Sequence, residues 1–109
     1  MVDETVFPPG FRWNLEKERI SIAKHGVDFW EASTTFEDPA AVVEFDFTTT
    51  YGEDRSRIIG RAVTGRSLDG RTLVVAFTER EPIIWIITAR LARPQEARKY
   101  EEQAHQRGF

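Results

Sequence analysis

The sequence predicts an α+β domain: a mostly antiparallel sheet of four to five strands with helices packed on one face, in the order β-α-α-β-β-β-β-α. Two long β-branched runs, TLVVAFTER over 72–80 and IIWIITAR over 83–90, stand back to back across a break at Glu81-Pro82. Runs of this length and composition read as strands of a covered sheet. Helix start and stop residues occur only near the beginning and the end of the chain. Consecutive strands joined by short polar segments pair as a meander. One domain over 11–109 is expected, after a flexible arm over 1–10 in which Pro8-Pro9-Gly10 stops regular structure.

Phe11-Arg12-Trp13 is a short strand candidate. Asn14 fits a helix N-cap, with Glu16 and Glu18 in the first turn, where negative charge is favoured. That helix should run to Lys24 or His25, and Gly26 suits the position after it. Leu15, Ile20, Ile22 and Ala23 offer it an apolar stripe of imperfect spacing. Asp28 caps a second helix whose Phe29, Ala32, Ser33 and Phe36 share one face, and Asp38-Pro39 closes it. From Val43 to Phe47 apolar and acidic residues alternate, the pattern of a half-buried strand. Residues 48–54 read as a loop, 55–63 as a further strand, and 64–71 as a turn or extended hairpin loop. A terminal helix is expected over 94–106, with Pro94 in its first turn.

The chain has 109 residues, enough for one modest core, and no cysteine, which removes disulfides and thiolate metal sites. Its two histidines, His25 and His105, are far apart, so no metal or other cofactor is expected. No apolar run is long enough to span a bilayer. The acidic, proline-containing start is unlike a secretory signal, so a cytoplasmic protein is expected.

The net charge of −3 conceals a segregation. Residues 1–52 carry four Lys/Arg against ten Asp/Glu, whereas residues 53–99 carry ten against six. Either the basic half meets a polyanion, since arginines bind phosphates bidentately, or the two halves neutralise each other in the fold.

Each candidate site residue has a functional and a structural reading. His25, beside Lys24, is an acid, base or phosphate donor, or else a cation completing a helix C-terminus. Arg55, Arg57 and Arg61 share one strand face and need anions between them, either Glu44 and Asp46 or a phosphate. Arg61 follows Gly60, which admits a ligand or another backbone. Glu79 and Arg80 can divide the work of base and phosphate stabiliser, or can simply solvate a hairpin turn. Arg90 shares a face with Thr88. It can converge with Arg61 and Arg80 on one phosphate, or pair with Glu96 or Glu101. Trp85 is core, interface or a stacking platform for a base.

Together the segments FRWNLEKERISIAKHGVDFWEASTTFEDP, RSRIIGR, TLVVAFTER and IIWIITARLARPQEARKY resemble the BrnT toxins of bacterial type II toxin–antitoxin pairs, from about Phe11 to Glu102. The order KHGV, IGR, TER, AR is what makes the resemblance specific. It implies a RelE-like fold and a metal-independent endoribonuclease, a hydrolase that cleaves RNA and inhibits translation. It also implies a BrnA-like ribbon-helix-helix antitoxin, through which alone the toxin would meet operator DNA. The family positions are Lys24, His25, Arg61, Thr78, Glu79, Arg80, Arg90, Glu96 and Tyr100. From these, Arg61, Glu79, Arg80, Arg90 and His25 are the expected catalytic residues. Lys24, Arg57, Thr78 and Thr88 are expected to bind substrate. Relatives usually carry arginine in place of Trp85 and serine in place of Thr88, and their 64–71 loop is shorter. Trp85 is therefore expected at the partner interface, where tryptophan is enriched. The competing reading is a non-catalytic module that binds a small DNA-binding partner and modulates its repression.

Overall fold

The two apolar runs are neighbouring strands near the middle of one sheet. A computed structural model describes residues 6–46, 55–63 and 70–108. Its elements are β1 (Phe11–Trp13), α1 (Leu15–His25), α2 (Phe29–Thr34), a 3₁₀ helix (Thr35–Glu37), β2 (Val42–Asp46), β3 (Arg55–Arg61), β4 (Thr72–Arg80), β5 (Ile83–Leu91) and α3 (Pro94–Gln106). The strands lie in the order β1-β5-β4-β3-β2. β2 to β5 form the expected antiparallel meander. β1 runs parallel to β5, so the sheet is mixed. The expected loop over 48–54 and residues 64–69 of the next one lie outside the described residues.

Local chemistry sets the helix ends. The Asn14 side chain accepts from the Lys17 N–H at 3.0 Å, and Gly26 takes φ 67°, the left-handed conformation that costs glycine least. The Asp28 carboxylate accepts from the Glu31 N–H at 2.7 Å and starts α2. Glu81-Pro82 is a two-residue turn that pairs Arg80 with Ile83. Close to the N-terminus, Phe7 packs edge-on against Trp13 with ring centroids 4.8 Å apart.

Three expectations are corrected. First, the helices do not share one face. Phe29 and Ala32 of α2 pack on Ile58, Leu73, Val75 and Phe77, and α1 lies on β5 where Ser21 reaches Ala89, while Tyr100 and Ala104 of α3 pack on Val42, Ile59 and Val74. Neighbouring strand residues point to opposite faces. Runs such as IIGR and LVVAF are apolar at both parities, so both faces require cover.

Second, α1 does not dock by an apolar stripe. Leu15, Ile20 and Ile22 are all about half exposed, and the residue it buries is Ser21. The Ser21 hydroxyl donates to the Ala89 carbonyl at 2.9 Å. Glu18 accepts from the Trp13 indole N–H at 3.1 Å and from the Phe29 N–H at 2.9 Å. Hydrogen bonds to buried backbone and indole donors thus hold this helix.

Third, the alternation in β2 is inverted. Val43 and Phe45 are exposed at 45% and 64%, whereas the Glu44 side chain is 24% exposed and ion-paired. β2 is an edge strand, and the charges that face Glu44 decide which of its sides is covered. Gly60 meets its own chain: a Cβ there would lie 3.2 Å from the Thr35 carbonyl oxygen.

Candidate functional site

The strand register collects most of the candidate residues on the face opposite α1 and α2. Arg57 stands opposite Ala76, Arg61 opposite Thr72, Arg80 opposite Ile83, Thr78 opposite Trp85 and Arg90 opposite Val74. Alternation places all of these side chains on the side where Ile59 and Val74 meet α3. Arg80 and Thr88 are exposed there. Arg57, Trp85 and Arg90 are half-buried.

An ion-pair chain crosses this face. The Glu44 carboxylate accepts from Arg57 Nε at 2.6 Å and also from the Lys99 ammonium. Glu96, from the first turn of α3, takes both terminal nitrogens of Arg90 at 2.7 and 2.8 Å, one from Arg57 at 3.3 Å, and the Arg93 N–H at 2.8 Å. Two carboxylates therefore face three cations. The hydrogen bonds from Arg90, ahead of that from the Arg93 backbone, pull the Glu96 carboxyl down to about 2. Of the readings open for Arg90, the pairing with Glu96 is present. Arg57 takes Glu44, as the alternating strand suggested.

A pH dependence follows. Because the folded value for Glu96 lies below its ordinary 4.5, the group adds stability that is complete above pH 4.5. That stability is lost as pH falls from there toward 2. Glu44 is shifted in the same direction, first by the Lys99 hydrogen bond. Glu96→Gln should cost about 2–3 kcal/mol at pH 7 and flatten the acid side of the stability curve. Thermal melts from pH 7 to pH 2 measure both. An unchanged curve would show that the pair adds nothing.

At the other end of the same face, the Arg80 guanidinium lies over the Trp85 ring, 5.0 Å from its centroid. Arg12 neighbours Trp85 in the register, but its guanidinium turns away over Phe7, 5.4 Å from that ring.

The expected catalytic residues do not all meet. Consecutive antiparallel strands end at opposite edges, so the residues that close β3 and β5, Arg61 and Arg90, lie toward one edge, and Arg80, near the close of β4, lies at the other. Arg61 stands opposite Thr72, the first residue of β4, and Arg80 is the last residue of that strand, roughly 25 Å away along it. Arg61, Arg80 and Arg90 therefore share a face without gripping one phosphate. Glu79 has the opposite parity to Arg80 and stands on the α1–α2 side, across from Ile84. Lys24, His25 and Thr88 do come together. With Lys17, Ile20 and Ile87 they line a groove of about 240 Å³ between α1 and β5. The irregularity in β4–β5 pairing at Ala76/Phe77 leaves Ile87 without a direct cross-strand partner, beside Thr88.

Asp38 was missed as more than a helix terminator. It is 5% exposed and accepts from the Arg61 N–H at 2.8 Å, the Tyr100 hydroxyl at 2.7 Å and the Ala40 N–H at 2.9 Å. Burial first, then Asp38, pushes the Tyr100 hydroxyl above its ordinary range. A hollow of about 370 Å³ opens beside this knot, lined by Arg61, Glu101 and His105 among others. No sequence signal marks such an acid beyond its place before a proline.

The family model for the BrnT ribonuclease toxins of type II toxin–antitoxin systems matches residues 13–96. The chain belongs to the BrnT family. A comparison with curated proteins found no match. The BrnT match takes in the last residue of β1, the whole meander and Glu96, and so the arginines of the sheet face. A type II toxin implies an antitoxin partner. No helix among the described residues is long and apolar enough to cross a membrane. Among those residues, no three of His, Asp and Glu gather as a metal-holding group.

Proposed function

We propose that this BrnT-family chain is an endoribonuclease that cleaves RNA without a metal ion and so halts translation in the cytoplasm. A BrnA-like ribbon-helix-helix antitoxin would hold it inactive and carry the pair to operator DNA. The observation that supports this reading is the row of arginines on one sheet face, with cations in excess of carboxylates along its ion-pair chain. Guanidinium groups preset around a phosphate stabilise the charge of a pentavalent transition state.

The reaction needs little else. A base takes the proton of a ribose 2′-hydroxyl, whose oxygen attacks the adjoining phosphorus. The 5′-oxygen leaves with a proton from an acid, giving a 2′,3′-cyclic phosphate and a 5′-hydroxyl. Arg57, Arg80 and Arg90 serve as phosphate contacts. His25 serves as acid or base in this reading, which is supported by the groove it shares with Lys24 and Thr88, with Thr88 about 7 Å along β5 from Arg90. Glu96 is a poor base, since its carboxyl is held so far down. Glu79 and Arg61 stand apart from this arrangement.

Purified protein should cleave RNA equally well with and without a chelator, leaving cyclic phosphate ends. Its expression without a partner should arrest bacterial growth. Intact RNA in both buffers, together with harmless expression, would instead support a binding module that acts only through its DNA-binding partner.

A further inference from the structure

The strand register shows where Trp85 falls on the sheet. The indole stands on the arginine-bearing face, half-buried, beside buried Thr78 and under the Arg80 guanidinium. The guanidinium itself is at the surface, since Arg80 is exposed. Arginine normally loses much rotamer freedom when it is fixed in one pose. The indole beneath it restricts that freedom beforehand, through a cation–π contact.

The surroundings suit a nucleic-acid base better than a protein. Among the described residues, the exposed large apolar side chains are Val6, Leu15, Ile20, Ile22, Trp30, Val43, Phe45 and Leu91, none of them beside Trp85. Of these, Val43, Phe45 and Leu91 have the parity of the α1–α2 face, and the remainder lie on α1, on α2 or near the N-terminus. The face around Trp85 thus lacks the apolar centre of a protein–protein interface. It has instead a guanidinium plane, with Arg55 and Arg57 on the next strand but one. Unpaired RNA bases stack on such planes while basic neighbours follow the backbone.

We propose that Arg80 and Trp85 form a two-layer platform on which one unpaired nucleobase of a single RNA strand stacks. This rests on the ribonuclease reading and adds a base-binding subsite to it. Arg80 touches the base directly. Trp85 is a positioning residue that acts through Arg80.

The test uses a short 2′-O-methyl oligoribonucleotide, which cannot be cleaved, and a series in which each base in turn is replaced by an abasic unit. Binding is read by fluorescence anisotropy. The wild-type protein should lose affinity about tenfold at one abasic position. Trp85→Ala and Arg80→Lys should bind the whole series alike, at the weakened level, because an ammonium offers no plane. Trp85→Phe should restore part of the discrimination in a protein with an undiminished melting temperature. The proposal is overturned if wild type ignores abasic replacement at every position. It is equally overturned if Trp85→Ala still senses it, or if Trp85→Ala disturbs only the complex with a protein partner. Discrimination without cleavage of ordinary RNA would sink the ribonuclease reading and leave the platform standing. Cleavage without discrimination would do the reverse.

Discussion

Arg80→Ala is expected to lower kcat/KM for RNA cleavage by about tenfold, because Arg80 stands roughly 20 Å along the sheet from Arg90 and so holds the RNA strand, not the reacting phosphate. Its effect on folding should be smaller than that of Arg90→Ala, because Arg80 is exposed and its cation–π contact with Trp85 contributes only about 0.5–1 kcal/mol. Arg90→Ala provides the contrast. That side chain holds both oxygens of Glu96, whose own side chain is only 12% exposed. Its removal should therefore cost about 2–3 kcal/mol of stability along with activity. Cleavage assays paired with urea melts of the two variants separate these effects. If Arg80→Ala cleaves like wild type, the proposed RNA surface on this sheet face is wrong. If it unfolds as readily as Arg90→Ala, its loss of activity says nothing about phosphate contact.

The contrast between these two arginines also shows what could be read from sequence. Both close long apolar runs, and that regularity invited the idea of a shared phosphate. The meander itself, legible from the turns and the β-branched composition, already forbids it: successive strands deliver their last residues to opposite edges. Helix ends were legible because Asn14, Gly26, Asp28 and Pro94 act through local backbone chemistry. Helix faces were not. The spacing of Leu15, Ile20 and Ile22 offered an imperfect stripe that the fold leaves half exposed, and nothing local shows that Ser21 would reach Ala89, a residue far away in the chain. Long-range polar bonds carry no periodicity. For the same reason Glu18, read as a first-turn acid, and Asp38, read as a helix terminator, proved to be acceptors for buried donors. Ile87, which lines the groove with Lys24, His25 and Thr88, falls at the β4–β5 irregularity, and an even alternation along IIWIITAR conceals that.

Asp38→Ala should be the most destabilising single change among the residues discussed, at about 3–5 kcal/mol. That is a large fraction of the stability of a domain this size. The carboxylate is buried and satisfies three donors from three places: the Ala40 N–H in its own turn, the Arg61 N–H at the end of β3, and the Tyr100 hydroxyl on α3. Its loss leaves two backbone N–H groups and a phenol without their acceptor, and each carries its own desolvation penalty. Asp38→Asn should recover only part of the loss, because in either orientation its NH₂ confronts a backbone N–H that also donates. Tyr100→Phe should cost about 1 kcal/mol, since it removes one bond and leaves Asp38 with two. The double variant Asp38→Ala/Tyr100→Phe should be less unstable than the sum of the two, because the tyrosine hydroxyl is then no longer stranded. The consequence extends to the RNA surface. α3 carries both Tyr100 and Glu96, so loosening its seat on Ile59 and Val74 releases the carboxylate that orders Arg57 and Arg90. Urea denaturation of the four proteins gives the cycle directly. Strictly additive losses, or an Asp38→Ala protein within about 1 kcal/mol of wild type, would mean that the knot does not fix α3 to the sheet.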